Sequence, residues 1–340
     1  MTAADDLDKT RPTLKTIAFM TGLGISTVSR ALKDGPEIGE ATRARVQLIA
    51  RQIGYRPNRA GVRLRTGKTN VITVVLNAGE EGSGLVSNMV YGISDALTGT
   101  PYHLVVTPYS LSDPMQPIRY IVETGSADGV ILSRIQPHDP RVQYLVDHGM
   151  PFATHGRTEM GIVHPFHDFD NEAFAIEALR ILKAKGRQRA VLLGPPPGLT
   201  FQKHTQAGFE AGLRRFGLTG VTLGSIDIDA PLAEVRAASL NLARRSDRPD
   251  GIVCSAVRAS IALAAGMADG GLTIGRDYDL VTKHTTDLLS MTWPQIISIP
   301  EDFRAAGRDL ATMLMARIAG TDPVELQRLV GPLPADLRHS

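Results

Sequence analysis

From residue 70 to about residue 320, short apolar runs alternate with amphipathic stretches, and few architectures tolerate that order. Candidate strands are VITVVL (71–76), HLVVT (103–107), GVILS (129–133), FATH (152–155), AVLLG (190–194), VTLGSI (221–226), GIVCS (251–255), DLVTK (279–283) and IISI (296–299). Helical patterns such as AFAIEALRILKAK and FRAAGRDLATMLMARIAG lie between most of them. Apolar strands separated by helices pack as parallel sheets covered on both faces. With at least eight strands, and the run HPFHDFDN (164–171) at the middle, the pattern predicts two subdomains and a cleft.

The chain has 340 residues, enough for two or three domains, and its formal charge of +2 hides an asymmetry. Residues 11–68 hold twelve Lys or Arg against three acids (Asp34, Glu37, Glu40), a net of +9 that leaves −7 on the other 282. A basic block at one end is the electrostatic footprint of a nucleic-acid module attached to something that does other work. No stretch approaches the roughly 18 apolar residues of a membrane span. The opening MTAADDLDKT lacks the basic, then apolar layout of a secretory signal, so a cytoplasmic, nucleoid-associated protein without a membrane partner is expected. Cys254, the single cysteine, sits in the apolar run GIVCSA and reads as a small buried hydrophobe.

Within the basic block, TLKTIAFMT (13–21) puts Leu14, Ile17 and Ala18 on one helical face, with Thr13 as N-cap and Gly22 as a left-handed stop. ISTVSRAL (25–32) follows as a second short helix with Val28, Ala31 and Leu32 turned inward. Two such helices joined by a glycine-containing turn make a helix-turn-helix. A third helix near 40–53 covers them with Val46, Ile49, Ala50 and Ile53. GLGIS (22–26) belongs to that turn and is no dinucleotide loop, because no strand precedes it. Then comes GYRPNRAGVRLRTGK (54–68), with five basic residues, no acid, and Leu64 stranded among them. Asn58 can cap a helix of about seven residues there, too short to be stable alone in water. A solvated basic linker with an incidental leucine is the alternative.

The stretch LKTIAFMTGLGISTVSRALKDGPEIGEATRARVQLIARQIGYRPNRAGVRLRTGKT resembles the DNA-binding head of the LacI/GalR family of bacterial transcription regulators, with TVSRAL, GYRPN and the later leucine at the family's spacing. The resemblance implies base readout by Ile25, Ser26 and Arg30, where Arg30 can donate two bonds to a guanine and Ile25 offers only apolar contact. Thr13, Thr27, Ser29, Arg56, Asn58, Arg59 and Arg63 are then candidates for the phosphates. Leu64 falls on the family's minor-groove wedge, carried by a hinge helix that forms on the operator. The family's usual serines are replaced by Gly24 and Gly39, which removes two side-chain contacts.

The resemblance extends to about residue 335, and the core it implies is similar to a periplasmic sugar-binding protein. The expected fold is an all-α helix-turn-helix head plus an α/β core of two doubly wound parallel-sheet subdomains. The expected boundaries are a tail (1–11), the head (12–56), a hinge helix and linker (57–69) and a core (70–340). Within the core, the N-subdomain takes about 70–168 and 296–325, and the C-subdomain about 169–294 and 326–340.

Ligands of open parallel sheets bind outside the carboxyl ends of the strands. That rule marks Asn77, His155, Arg157, Asp168, Asp170, Asn171, Ser255, Arg258, Lys283 and His284 as effector-binding candidates. Two departures from the family's sugar grip stand out. The helix that usually reads R-x-x-G-F here reads KHTQAGF, with Thr205 at the arginine position, and V-G-Y-D-D is replaced by VTKHT, which places His284. Arg157, Lys203, His204, Lys283 and His284 then make the expected cleft basic, suiting an anionic or phosphorylated sugar-like effector. Single members could equally be surface charges or satisfied core histidines. His164, His167 and their neighbouring carboxylates have metal-ligand chemistry, but the run falls where the family crosses between subdomains, so no metal and no cofactor is expected.

No G-x-S-x-G or Walker A sequence occurs, and no catalytic constellation is assigned. The reading is a homodimeric regulator, by family analogy a repressor, of a near-palindromic DNA operator. GPLPADLRHS carries no apolar heptad, so no tetramer is expected. The rivals are a cytoplasmic sugar-binding protein without DNA function and an enzyme of sugar metabolism.

Overall fold

The computed structural model describes residues 12–55, 67–77, 85–284, 289 and 293–333. The chain divides into two compact units, Met1–Thr69 and Asn70–Ser340.

The first unit contains α1 (Leu14–Thr21), α2 (Ile25–Ala31) and α3 (Glu40–Gln52). A reciprocal cap begins α1: Thr16 N donates to Thr13 Oγ1 at 3.4 Å and Thr13 N to Thr16 Oγ1 at 3.1 Å. Gly22, at φ +70°, ends it in the left-handed conformation, with its N–H on Ala18 O. Gly24 and Gly39 start α2 and α3 without a side-chain cap. Ile17, Val28, Ala31, Ile38, Val46 and Ala50 form the core of this unit. Arg43 pins the turn between α2 and α3, donating from Nη2 to Ile38 O at 2.9 Å and Gly35 O at 3.3 Å.

The second unit holds two parallel sheets. The first collects β1 (Val71–Asn77), β2 (His103–Tyr109), β3 (Gly129–Leu132), β4 (Phe152–His155) and β5 (Phe166–Phe169), with α4 (Leu85–Leu97), α5 (Gln116–Thr124) and α6 (Pro140–Asp147) between them. After α7 (Asn171–Ala184) the second sheet follows: β6 (Arg189–Leu193), α8 (Thr200–Phe216), β7 (Thr219–Val221), α9 (Leu232–Ala243), β8 (Gly251–Cys254), α10 (Val257–Asp269), β9 (Asp279–His284) and β10 (Ile297–Pro300). The chain then returns through α11 (Phe303–Ile318) and a 3-10 turn at Pro323–Leu326 to β11 (Gln327–Val330). The strand orders are β11-β5-β4-β3-β1-β2 and β10-β9-β8-β6-β7. Strand order reverses beside β1 and β6, which opens a crevice at the carboxyl ends.

Two boundaries differ from the sequence reading. β10 pairs with β9 and so belongs to the second sheet, whereas 296–325 was expected in the first subdomain. β11 pairs with β5 and completes the first sheet, although 326–340 was expected in the second. A strand also runs through the middle of HPFHDFDN, and of the candidate 221–226 only Val221 is strand. Gly224, at φ +98°, turns the chain immediately afterwards.

The helices covering each sheet meet backbone to backbone at glycines. A Cβ on Gly92 of α4 would collide with Arg304 O of α11, and one on Gly208 of α8 with Glu172 O of α7. Among the described residues no helix is long and apolar enough to cross a membrane.

Candidate functional site

In the first unit, α2 buries Val28 and Ala31, which leaves Ile25, Ser26 and Arg30 exposed along its other side. Ile25 is 45% exposed, which leaves its side chain available for apolar contact. Arg30 is already engaged: Nε donates to Ser26 O at 3.3 Å and lies 3.7 Å from Glu37 Oε1. Thr13 is exposed, and Thr27 and Ser29 are half-buried at the flanks of α2. The candidates Arg56, Asn58, Arg59, Arg63 and Leu64 lie outside the described residues.

In the second unit a cavity opens at the carboxyl ends of both sheets. Its walls include Ser133 and Arg134 after β3, His155 to Arg157 after β4, and Asp168 of β5. Asn171, Thr200, Phe201, Asp229, Ser255 to Arg258, Lys283, Glu301 and Phe303 complete much of it. The hydroxyls of Ser133, Thr200 and Ser255 are buried and have no hydrogen-bond partner among the described residues. Buried polar groups are nearly always satisfied, so three such hydroxyls on one cavity point to a hydrogen-bonding occupant.

The cations of this cavity are largely neutralised. Arg157 Nε donates to Asp168 Oδ2 at 2.7 Å. Arg134 meets Asp229 at 2.5 Å. Lys283 donates to Asn171 Oδ1 and lies 3.0 Å from Glu301 Oε2, with its ammonium 4.8 Å from the Phe169 ring centre. Burial drives the His155 imidazole to a pKa of about 3, and nearby His167 and Lys283 add to the effect. Burial likewise raises Asp168, although Arg157 opposes it. Arg258 is exposed and pairs with no carboxylate among the described residues.

Several predicted positions lie elsewhere. Lys203 points to Glu159, at 2.6 Å, and does not line the cavity. Thr205 is fully buried and donates to Phe201 O at 2.7 Å, and His204 is half-buried off the wall. These residues lie one turn further along α8: the first turn, with Thr200 and Phe201, reaches the cavity, and the next is displaced along the axis by a helical pitch of about 5.4 Å. Asp170 caps α7, accepting from Ala173 N at 2.9 Å. Asn77 is buried and β1 contributes Leu76 instead. His284 ends β9 opposite Pro300, and its side chain lies outside the described residues. His164 is buried with its ring nitrogens 3.0 Å from Ile162 O and Thr154 Oγ1, while His167 Nδ1 donates to Asp309 at 2.9 Å. No group of three His, Cys, Asp or Glu suited to a metal occurs among the described residues.

Residues 13–58 match the profile of bacterial regulatory proteins of the lacI family, and residues 179–340 that of a periplasmic binding protein-like domain. The HTH-type transcriptional regulator AglR of Rhizobium meliloti is 32% identical over 314 residues, 90% of this chain and 87% of AglR. The chain belongs to the lacI family of bacterial regulatory proteins. As a lacI-family member it is a DNA-binding transcriptional regulator and not an enzyme. The same fold occurs in a lac repressor dimer bound to operator and the anti-inducer ONPF, with a TM-score of 0.83 at 17% identity over 97% of this chain and all of that one. It occurs again in a complex of the transcriptional regulator CelR with cellobiose, with a TM-score of 0.70 at 22% identity over 97% and 100% of the two chains.

A lone serine after a strand or threonine at the start of a helix carries no motif, so residue type alone does not mark Ser133, after β3, or Thr200, at the start of α8, for the site. Arg134, Asp229, Glu301 and Phe303 were equally silent. The strand-end rule, applied to GVIL and ISIP as well as to FATH, would have found Ser133 and Glu301.

Proposed function

We propose that this lacI-family regulator is a homodimeric repressor whose affinity for a near-palindromic operator is set by a small, neutral, hydroxyl-rich effector in the core cavity. The observation that carries the reading is the set of unpartnered buried hydroxyls on Ser133, Thr200 and Ser255. Each can exchange hydrogen bonds with a sugar hydroxyl, and the rings of Phe201 and Phe303 offer apolar faces for a pyranose. The cellobiose held by CelR, a protein of the same fold, is a ligand of this chemistry. Of the Lys and Arg side chains lining the cavity among the described residues, three of four already have carboxylate partners, so little positive charge is left for an anion.

An anionic or phosphorylated effector is the second reading, and Arg258 favours it as an exposed guanidinium on the cavity wall that pairs with no carboxylate among the described residues. Isothermal titration of neutral sugars against their phosphates separates the two, since tighter binding of a phosphate ester selects the second. On the DNA side, Ile25, Ser26 and Arg30 read base edges, Thr13, Thr27 and Ser29 hold phosphates, and the segment from Arg56 to Leu64 supplies the hinge. A gel shift of genomic fragments, repeated across salt and with neutral sugars, tests the whole reading. Affinity falls steeply with salt and changes on sugar addition; salt-insensitive binding would contradict the DNA reading.

A further inference from the structure

The amino ends of the second sheet, away from the cavity, form a basic pole. Ala190 of β6, Gly251 of β8 and Asp279 of β9 lie in register, so the segments leading into these strands emerge side by side. The carboxyl ends of α7, α8 and α9 come to the same end, because each helix carries the chain back to the start of a parallel strand. Together residues 183–189, 214–215, 244–250 and 276–279 hold ten Lys or Arg against four Asp, although the residues outside 11–68 total −7.

The side chains knit this end into one surface. Arg187 donates to Asp279 Oδ2 at 2.6 Å and to Gly275 O at 2.9 Å. Arg245 pairs with Asp247 at 2.6 Å and Arg276 with Asp277 at 2.9 Å. Bonds from Arg245 hold the Asp247 carboxyl below its ordinary range, and Arg189 adds to the effect. Bonds from Arg276 and the Thr273 N–H do the same for Asp277, with Arg248 contributing. Asp250 is taken up by the backbone, accepting from Gln188 N at 3.0 Å and Arg189 N at 2.7 Å. All four acids are thereby engaged, while Lys183, Arg189, Arg214, Arg215, Arg244 and Arg248 form no salt bridge among the described residues. Of these six, all but the half-buried Lys183 are exposed.

Lys183, Arg214, Arg215 and Arg244 stand at helix carboxyl ends, where a cation offsets the dipole. Arg189, at the start of β6, and Arg248, in the loop before β8, stand at no helix end, so the dipole does not account for them. α7 and α8 pack on one face of the sheet and α9 and α10 on the other. The cations therefore span a sandwich of three layers, about 20 Å at a layer spacing of about 10 Å. A short acidic peptide would meet one side of such a surface. The phosphates of a duplex, with one charge per about 1.7 Å of axis, run past the whole of it.

We propose that this pole binds the phosphate backbone of duplex DNA without reading sequence, so that the regulator holds a second duplex besides the one bound by its head. Eight of the ten cations are arginines, whose forked donors match phosphate oxygens.

The test uses the full chain, loaded on a bead-bound duplex of about 30 base pairs, roughly three helical turns, and then offered a fluorescent duplex of the same length. Wild type retains the fluorescent duplex. The triple variant Arg189→Ala, Arg244→Ala, Arg248→Ala loads on the beads as wild type does and retains at least about tenfold less of it. Lysine at the same three positions keeps most of the retention, because phosphate accepts either cation. No retention by wild type, undiminished retention by the alanine variant, or loss of its loading on the first duplex overturns the second site. Polyglutamate that displaces the fluorescent duplex as well as unlabelled duplex does, at equal charge concentration, assigns the pole to an acidic protein and overturns the DNA proposal.

Discussion

Lys283 Nζ stands 3.0 Å from Glu301 Oε2 and donates to Asn171 Oδ1, so one buried ammonium ties the end of β9 to both segments by which the chain passes between its sheets. Rings surround it: Phe169, Phe174 and Phe201 lie 4.8, 5.4 and 6.0 Å away, measured to their centres. Removing one partner of a buried pair leaves the other charge uncompensated, so Lys283→Met destabilises the core by roughly 3–5 kcal/mol. Adding Glu301→Gln recovers much of that loss. Urea unfolding of both variants checks it; a double variant as unstable as the single one contradicts the pairing.

Among the described residues, the hydroxyls of Ser133, Thr200 and Ser255 contribute no hydrogen bond to the fold. Alanine at any of them therefore leaves the urea midpoint unchanged or slightly raised. Effector affinity falls by about 1 kcal/mol for each, the worth of an ordinary hydrogen bond, and titration of the three variants measures it. A variant that loses stability and keeps full affinity shows that its hydroxyl serves the fold.

The core is acid-sensitive through its histidines. Burial holds His155 near a pKa of about 3, from 6.5, and pulls His164 and His167 below their ordinary value too. Between those limits the unfolded chain binds protons that the folded chain refuses. The stability from these imidazoles is therefore complete above about pH 6.5 and drains as pH falls toward 3, with about 2 kcal/mol gone at pH 5 from His155 alone. Asp168, raised by burial, works the other way in its own acid range. Melting temperatures from pH 7.5 to 5 should fall, and His155→Gln should flatten the decline; a flat wild-type profile would mean charged imidazoles in the folded state.

Arg30 is restrained by Ser26 O and by Glu37. Arg30→Ala lowers affinity for the selected operator by about 1–3 kcal/mol, the discrimination of one bidentate base contact, and spares binding to random duplex. Glu37→Gln releases the guanidinium and raises operator affinity. Competition gel shifts at one fixed salt concentration read both, and equal losses on operator and random DNA would make Arg30 a phosphate contact.

The three short helices of the head were legible because their determinants are local: Thr13, Gly22 and the apolar residues of one face suffice. The apolar strands β1, β3 and β8 were legible for a similar reason, since they are buried along nearly their whole length. β5 and β11 escaped because FHDF is half polar and QRLV is an exposed edge strand, so neither shows a strand's period. In the cleft, residue type misled where depth along a helix decides: Lys203 and Thr205 look like ligands in the sequence, yet Lys203 pairs with Glu159 and Thr205 with the helix's own backbone. Charge also misled, because the carboxylates that neutralise Arg157 and Lys283 come from a separate strand for Asp168 and from a separate strand end for Glu301.

The first sheet is finished by the last strand among the described residues. β11 lies beside β5, and Leu310 and Leu314 of α11 pack against Ile72 and Val74 of β1. During translation, the first subdomain must wait with an unpaired β5 edge while the whole second sheet is made. The second subdomain, contiguous from α7 to β10, can fold as it leaves the ribosome, and a nascent chain stalled before residue 303 would display the open edge that chaperones capture.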